Sequence, residues 1–337
     1  MSQTEIVNLE DLVEQSHPYR KLLSLVDFHG LSKMIKGIKK NQEVGRSGYM
    51  VESCLKILVL QFMEDLSDRE MERFIRENLS AKLFCGFGIT DITPDHNLFY
   101  RLRQRIGTNK LAKVFNKVRE QLKHQGLIRE VFTFVDASHL ISKVNIWEDR
   151  DKIIKKGMDG FNNKTMKEID KKNKKGNENS KIKADTQARM GCKGSKKYWF
   201  GYKRHVSVDM QSGLINKATI TPANVTDAKA VKHILPNKGA VFGDKGYCTK
   251  DSTNAIKQKG LHDCTIKKNN MKGKNKDKDR WISQMRSPYE RVFSKMSKRV
   301  RYRGVEKNQF ALFMEAITHN FKRLMTLDNA PPLEFSI

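Results

Sequence analysis

Acidic residues are in short supply: 38 Asp and Glu stand against 65 Lys and Arg in 337 residues, leaving a formal charge of +27. Such a surplus opposes compactness by self-repulsion. Its usual compensation is a polyanionic partner, nucleic acid first and an anionic membrane surface second. Long apolar runs are also missing. The most apolar stretch, Cys54 to Met63, is interrupted by Lys56 and Gln61 and falls far short of the ~20 residues a membrane span needs. No basic amphipathic anchor, lipidation signal or signal peptide is visible, so no membrane partner is expected. Cysteine is scarce and scattered (Cys54, Cys85, Cys192, Cys248, Cys264), with no CxxC pair or Cys/His cluster of zinc spacing. That predicts reduced thiols in a cytoplasmic protein.

What is present falls into a helical first third and a strand-bearing remainder. Residues 1–128 read as helices with short, capped joints. After Ser47-Gly48, the apolar positions Met50, Val51, Cys54, Leu55, Leu58, Val59 and Phe62 recur at three and four, which buries one helix face. Ser67-Asp68-Arg69-Glu70 is a capping box opening a helix with Met71, Phe74 and Ile75 inward. Thr93-Pro94 sets a capping hydroxyl before a proline, opening a helix to Ile106. Arg101, Arg103 and Arg105 spread over that helix, and another from Lys110 to Gln125 ends at Gly126. Short helices bearing Arg and joined by tight turns suit a helix-turn-helix-like DNA reader, and equally a bundle with a solvated basic face. The charge of the whole chain favours DNA contact.

The run Val131-Phe132-Thr133-Phe134-Val135 predicts a buried strand that closes on Asp136, a carboxylate at the strand mouth. From about 144 to 197, Lys, Asn, Asp and Gly dominate, and the stretch is expected to be a Lys-rich insertion. Tyr198 to Asp209 and Leu214 to Thr221 then form a hairpin around Met210–Gly213. Asp227 to Leu235 reads as helix and Ala240 to Asp244 as a short strand, again ending in a carboxylate. Ser252 to Lys259 fits a helix and Asp263 to Ile266 a last strand. A second Lys-dense loop (267–280) leads to helices from about Ser283 to Lys298 and Lys307 to Leu324, with a free tail from Ala330. The order implies an α/β domain at 129–329, a mixed five-stranded sheet flanked by helices, with 330–337 as tail.

Asp136 and Asp244 each end a core strand, and Glu290 sits on a later helix between Tyr289 and Arg291. Three bare carboxylates converging on one strand mouth would repel each other, and a divalent cation relieves that repulsion. Ligation by oxygen alone favours Mg²⁺ or Mn²⁺ over zinc. Two such ions ~4 Å apart can activate an attacking oxygen and stabilise a leaving one at phosphorus.

Several motifs stand in order along the chain: Phe134–Ala137, Tyr202–His205, Thr221–Val225, Gly243–Tyr247, Arg286–Phe293 and Tyr302–Asn308, with Pro94–Asn97 through Arg101 to Gly107 ahead of them. Together they resemble the DDE transposases of bacterial insertion sequences, of the IS4/IS5 superfamily and its IS5-like group. The resemblance implies an RNase H-like catalytic domain, preceded by an all-helical domain that recognises the element's ends. It assigns the two Asp roles to Asp136 and Asp244 and the Glu role to Glu290, holding two Mg²⁺ ions for which Mn²⁺ may substitute. The activity implied is metal-dependent cleavage at element ends and 3′-OH strand transfer into target DNA, that is, cut-and-paste transposition. The implied partner is double-stranded DNA (terminal inverted repeats and target), bound by a homodimer in the cytoplasm, at the nucleoid.

Arg286 fits the Arg of the family's Tyr-Arg-Glu-Lys signature, while Ser283 and Ser297 occupy its Tyr and Lys positions, with Lys298 and Lys295 nearby. Candidate DNA contacts are Arg286, Lys298, Lys295, Arg101, Arg103, Arg105, Lys203, Arg204 and Lys245. The altered signature keeps two alternatives open: a catalytically decayed transposase acting as a DNA-binding repressor, and an RNase H-like nuclease without strand transfer.

Overall fold

The computed structural model describes residues 8–35, 48–142, 185–193, 197–294, 296–327 and 331–335. It divides into two compact units, Met1–Leu127 with Phe313–Ile337, and Ile128–Leu312.

The first unit is helical: α1 (Leu9–Leu12), α2 (Pro18–Leu25), α3 (Phe28–Lys33), α4 (Val51–Met63), α5 (Asp68–Glu77), α6 (Leu79–Cys85) and α7 (His96–His124). The capping box forms as expected. Ser67 Oγ accepts the Glu70 N–H at 3.3 Å, and Glu70 Oε2 accepts the Ser67 N–H at 2.8 Å. The cap of α7 is corrected from Thr93 to Asp95, whose Oδ1 accepts the Leu98 N–H at 3.0 Å. The two helices expected on either side of residue 107 meet end to end, because Gly107 takes φ 64°, ψ 166° and breaks the helical path. Gly126, at φ 72°, closes α7: its N–H reaches the Lys123 carbonyl and that of Leu127 reaches Leu122, both at 2.9 Å.

The end of the chain is not a free tail. Leu333 pairs with Val26; its N–H reaches the Leu25 carbonyl at 2.7 Å and its carbonyl accepts the Asp27 N–H at 2.9 Å. Leu333 and Phe335 are buried, so two apolar side chains beyond Pro331-Pro332 are enough to seat the segment.

The second unit carries β1 (Phe132–Ile141), β2 (Arg189–Lys193), β3 (Lys197–Asp209), β4 (Ile215–Pro222), β5 (Ala240–Gly243) and β6 (His262–Thr265). Its helices are α8 (Asp227–Ala230, continuing as a 3₁₀ turn Val231–His233), α9 (Lys250–Gln258), α10 (Lys276–Ser294) and α11 (Val305–Thr326), of which α11 passes into the first unit from Phe313. The sheet runs β2-β3-β1-β5-β6, with β4 also paired to β3. β1 is antiparallel to β3 and parallel to β5, and β5 is parallel to β6. This is the mixed, helix-covered sheet of an RNase H-like fold.

It has one strand more than the five expected. β2 falls inside the stretch read as a Lys-rich insertion, pairing Arg189–Lys193 with Lys197–Gly201 of β3. Gly191 permits this closeness, since a Cβ there would come within 2.6 Å of the Trp199 ring. Residues 144–184 and 194–196 of that insertion lie outside the described residues. Likewise, α10 begins within the second Lys-dense segment and runs through Pro288.

The two faces of the sheet are covered differently. Val135 and Val241 point into a core with Val231, Ile234, Leu235, Tyr247, Ile256 and Leu261. On the opposite face, α10 packs over Phe134 and Phe242 through Phe293 (ring centroids 6.1 Å apart) and Trp281 (5.9 Å).

Candidate active site

Asp136 does not end its strand. β3 pairs β1 as far as Ile141↔Gly201, so the carboxylate stands mid-strand, opposite Val206. The parallel partner, however, is short. The last β1–β5 pair is Phe134↔Phe242, and β5 stops at Gly243. Side chains alternate along a strand, so Asp136 and Asp244 each follow a member of that last pair by two residues and emerge on the same face. They flank the point where the parallel pair opens, which is the mouth the sequence anticipates.

The local turn fixes Asp244. Its Oδ1 accepts the Gly246 N–H at 2.8 Å, and its carbonyl accepts the Tyr247 N–H at 3.1 Å. A Cβ at residue 246 would lie 2.9 Å from that Oδ1, so a larger residue there would push on the Asp244 carboxylate. Asp136 Oδ1 accepts the Ala137 N–H at 2.8 Å. Burial nevertheless pushes the Asp136 carboxyl up to about 7. The Ala137 hydrogen bond opposes that rise, the Asp244 charge adds to it, and Arg286 and Lys193 counter it. The two aspartates therefore share one electrostatic environment, with Arg286 and Lys193 within its reach.

Glu290 lies on α10, the helix over the same sheet face. Its Oε1 accepts a hydrogen bond from Arg286 Nη2 at 2.8 Å, one helical turn back. The Arg286 guanidinium lies 5.6 Å from the centre of the Phe134 ring, two residues before Asp136. The aspartates, Arg286 and Glu290 are thus gathered on one side of the sheet. They do not form a closed cage: among the described residues, no three His, Cys, Asp or Glu side chains stand close enough to hold a metal ion. The donor set, carboxylate oxygens around a half-buried acid whose charge needs a counter-ion, suits an oxygen-seeking divalent cation.

Two neighbouring residues escaped the sequence reading of the site. Tyr247 is buried, and its hydroxyl has no hydrogen-bond partner. Burial, followed by the charges of Asp136, Asp227 and Asp244, pushes its ionisation well above the usual tyrosine range, so it stays a neutral donor. Tyr289 donates its hydroxyl to the Met210 carbonyl, pinning α10 to the β3–β4 turn. The signal for both was their place inside quoted motifs, although neither residue type by itself suggests chemistry.

The candidate DNA contacts separate by exposure. Arg101, Arg105, Lys245 and Lys298 are exposed, and Lys245 Nζ reaches Asn269 Oδ1 at 3.3 Å. Arg103 is instead a structural cation, bound to both Asp68 oxygens at 2.8 and 2.6 Å. Arg204 is also corrected: it is 1% exposed, donating to Ser138 Oγ and the Ser297 carbonyl, both at 2.7 Å. Lys203 is held by Asp227 at 3.0 Å and by the Val225 carbonyl at 3.1 Å. Lys295 lies outside the described residues. His205 is buried beside Thr221 Oγ1 at 2.8 Å; burial, then Lys203 and His233, lowers its pKa to about 3, so it is neutral.

The sheet order, the paired aspartates at its opening and the glutamate on the covering helix define an RNase H-like domain with an acidic site. Comparison with family models gives two matches: "Transposase domain (DUF772)" over residues 7–105, and "Transposase DDE domain" over residues 159–321. Together they take in most of the chain, and the second contains Asp244 and Glu290, with Asp136 ahead of it. The chain belongs to the DDE transposases of insertion sequences, enzymes that move DNA with the help of divalent metal ions. No solved structure matched it. Among the described residues, no helix is long and apolar enough to cross a membrane.

Proposed function

We propose that this transposase moves its element by cut and paste, cleaving DNA at the element's terminal inverted repeats and joining the freed 3′-OH to a target phosphodiester. The observation that carries the reading is the position of Asp136 and Asp244, which share one field at the opening of the parallel pair under α10. Asp136 would hold both metal ions, with Asp244 and Glu290 holding one each. Two bound Mg²⁺, with Mn²⁺ able to replace them, supply activation of the attacking oxygen and charge stabilisation of the leaving one. Cleavage and joining are both phosphoryl transfers, so one site serves both. Arg286 orients a phosphate by a charge-assisted contact, and the exposed Lys245 and Lys298 line the backbone's path.

Arg101 and Arg105 give the helical unit a basic face for reading the element's ends, which fits residues 1–128 as the recognition domain. Two ends must be held together, so the working form is a homodimer on DNA. The motif set supports membership of the IS5-like group.

The test is strand cleavage and transfer on duplexes carrying the inverted repeats that flank the gene, in Mg²⁺. Wild type nicks the end and joins it to a target plasmid; Asp136→Asn does neither. Equal products from the variant would end the proposal. Ser283 and Ser297 in the signature's Tyr and Lys positions favour a second reading, a decayed copy that represses its element. That protein would bind ends without Mg²⁺ and never nick them. Nicking with no joined product would mark a nuclease instead.

A further inference from the structure

The geometry points to Arg286 as the resident counter-ion of the metal-free site, tying Glu290 away from the cation position until a DNA phosphate takes its place. This rests on the carboxylate site proposed above. The pairing of Arg286 with Glu290 is incomplete in a specific way. Glu290 uses one oxygen and one guanidinium nitrogen, Nη2, at 2.8 Å, while Arg286 Nε is buried with no hydrogen-bond partner. Nε and Nη2 form one edge of the guanidinium, the edge that accepts a two-oxygen anion side-on. A phosphodiester offers two such oxygens and would satisfy both donors, so it competes well against a single glutamate oxygen.

Glu290 is also the more solvated partner, its side chain 52% exposed against 15% for Arg286. The arginine is held in place over the Phe134 ring at 5.6 Å, whereas the glutamate is free to leave. Exchange of partners would release Glu290 toward Asp136 and Asp244 when the substrate arrives. Metal and DNA would then bind with positive, reciprocal coupling. In the DNA-free protein, only the aspartates would hold a cation.

The test is Mn²⁺ affinity of the full chain by calorimetry, without DNA and without reading activity. Asp136→Asn should weaken binding; if it does not, the carboxylate site itself fails and this inference with it. Given that site, Arg286→Gln should tighten Mn²⁺ by about tenfold, the scale on which one adjacent cation shifts a carboxylate's affinity for positive charge. Arg286→Lys, which keeps the charge but not the fork, should show less than half of that gain on a logarithmic scale. Glu290→Gln alone should leave affinity within about twofold of wild type, and adding it to Arg286→Gln should remove most of the gain, leaving only the part that the Arg286 charge exerts directly on Asp136. A saturating 40-base-pair duplex, with its own Mn²⁺ binding subtracted, should tighten wild type but not Arg286→Gln. No gain in Arg286→Gln, a loss in Glu290→Gln alone, or no effect of duplex on wild type would each overturn the inference.

Discussion

Replacing Asp136 by Asn should stabilise the metal-free protein at alkaline pH, and the sign follows from burial. In the folded chain the carboxyl holds its proton to about 7, whereas the ordinary value is 3.8. Between those values the folded state binds more protons than the unfolded state, so stability is full below about pH 4 and drains away as pH rises through about 7. At about 1.4 kcal/mol per pH unit, the loss is bounded at about 4 kcal/mol. Asp136 keeps some contact with solvent, which reduces the expected difference to about 1–2 kcal/mol. Asparagine cannot ionise and still presents an oxygen to the Ala137 N–H. Urea unfolding in EDTA should therefore show the two proteins matched near pH 4 and the Asn variant more stable by that amount at pH 8. His205, neutral in the folded chain at both values but protonated at the lower one once unfolded, lowers the stability of both proteins equally there and cancels in the comparison. Identical pH dependence for the two proteins would refute the half-buried, charge-strained aspartate on which the site depends.

Other consequences concern the helical unit. Leu333→Ala should cost about 2–4 kcal/mol in denaturant unfolding, since the side chain is fully buried where the segment pairs with Val26; an unchanged midpoint would mean that the segment is not seated. Arg101→Ala should weaken duplex binding and lower its salt slope by about one, whereas Arg103→Ala should lower the melting temperature through loss of its Asp68 pairing and leave the slope unchanged. The reverse pattern would reassign the two arginines.

Much of this architecture was legible because the apolar pattern and the local chemistry agreed. The β3–β4 hairpin shows itself in Val206 and Val208 of β3 and in the turn at Met210–Gly213, and Ser67 and Glu70 satisfy each other within a single turn. The pair of carboxylates could be found because each follows a short β-branched and aromatic run. What escaped depends on distant partners. β2 has a single large buried residue, Met190, and exists because β3 is long enough to pair with it. Nothing near Arg103 or Arg204 shows that Asp68 and Ser138 will claim them. Thr93 and Asp95 are both good caps, and only the path of the backbone selects the second. The length of β1 beyond Asp136 is set by β3, more than sixty residues later in the chain.

Asp136, Asp244 and Glu290 should converge on one metal centre when the enzyme holds its DNA. Anomalous scattering from Mn²⁺ in crystals of the protein on element-end duplex measures this directly. Density is expected in contact with Asp136 and Asp244, with Glu290 turned toward it and Arg286 on a phosphate. Density elsewhere, or Glu290 still bound to Arg286 in a complex able to cut, would contradict it.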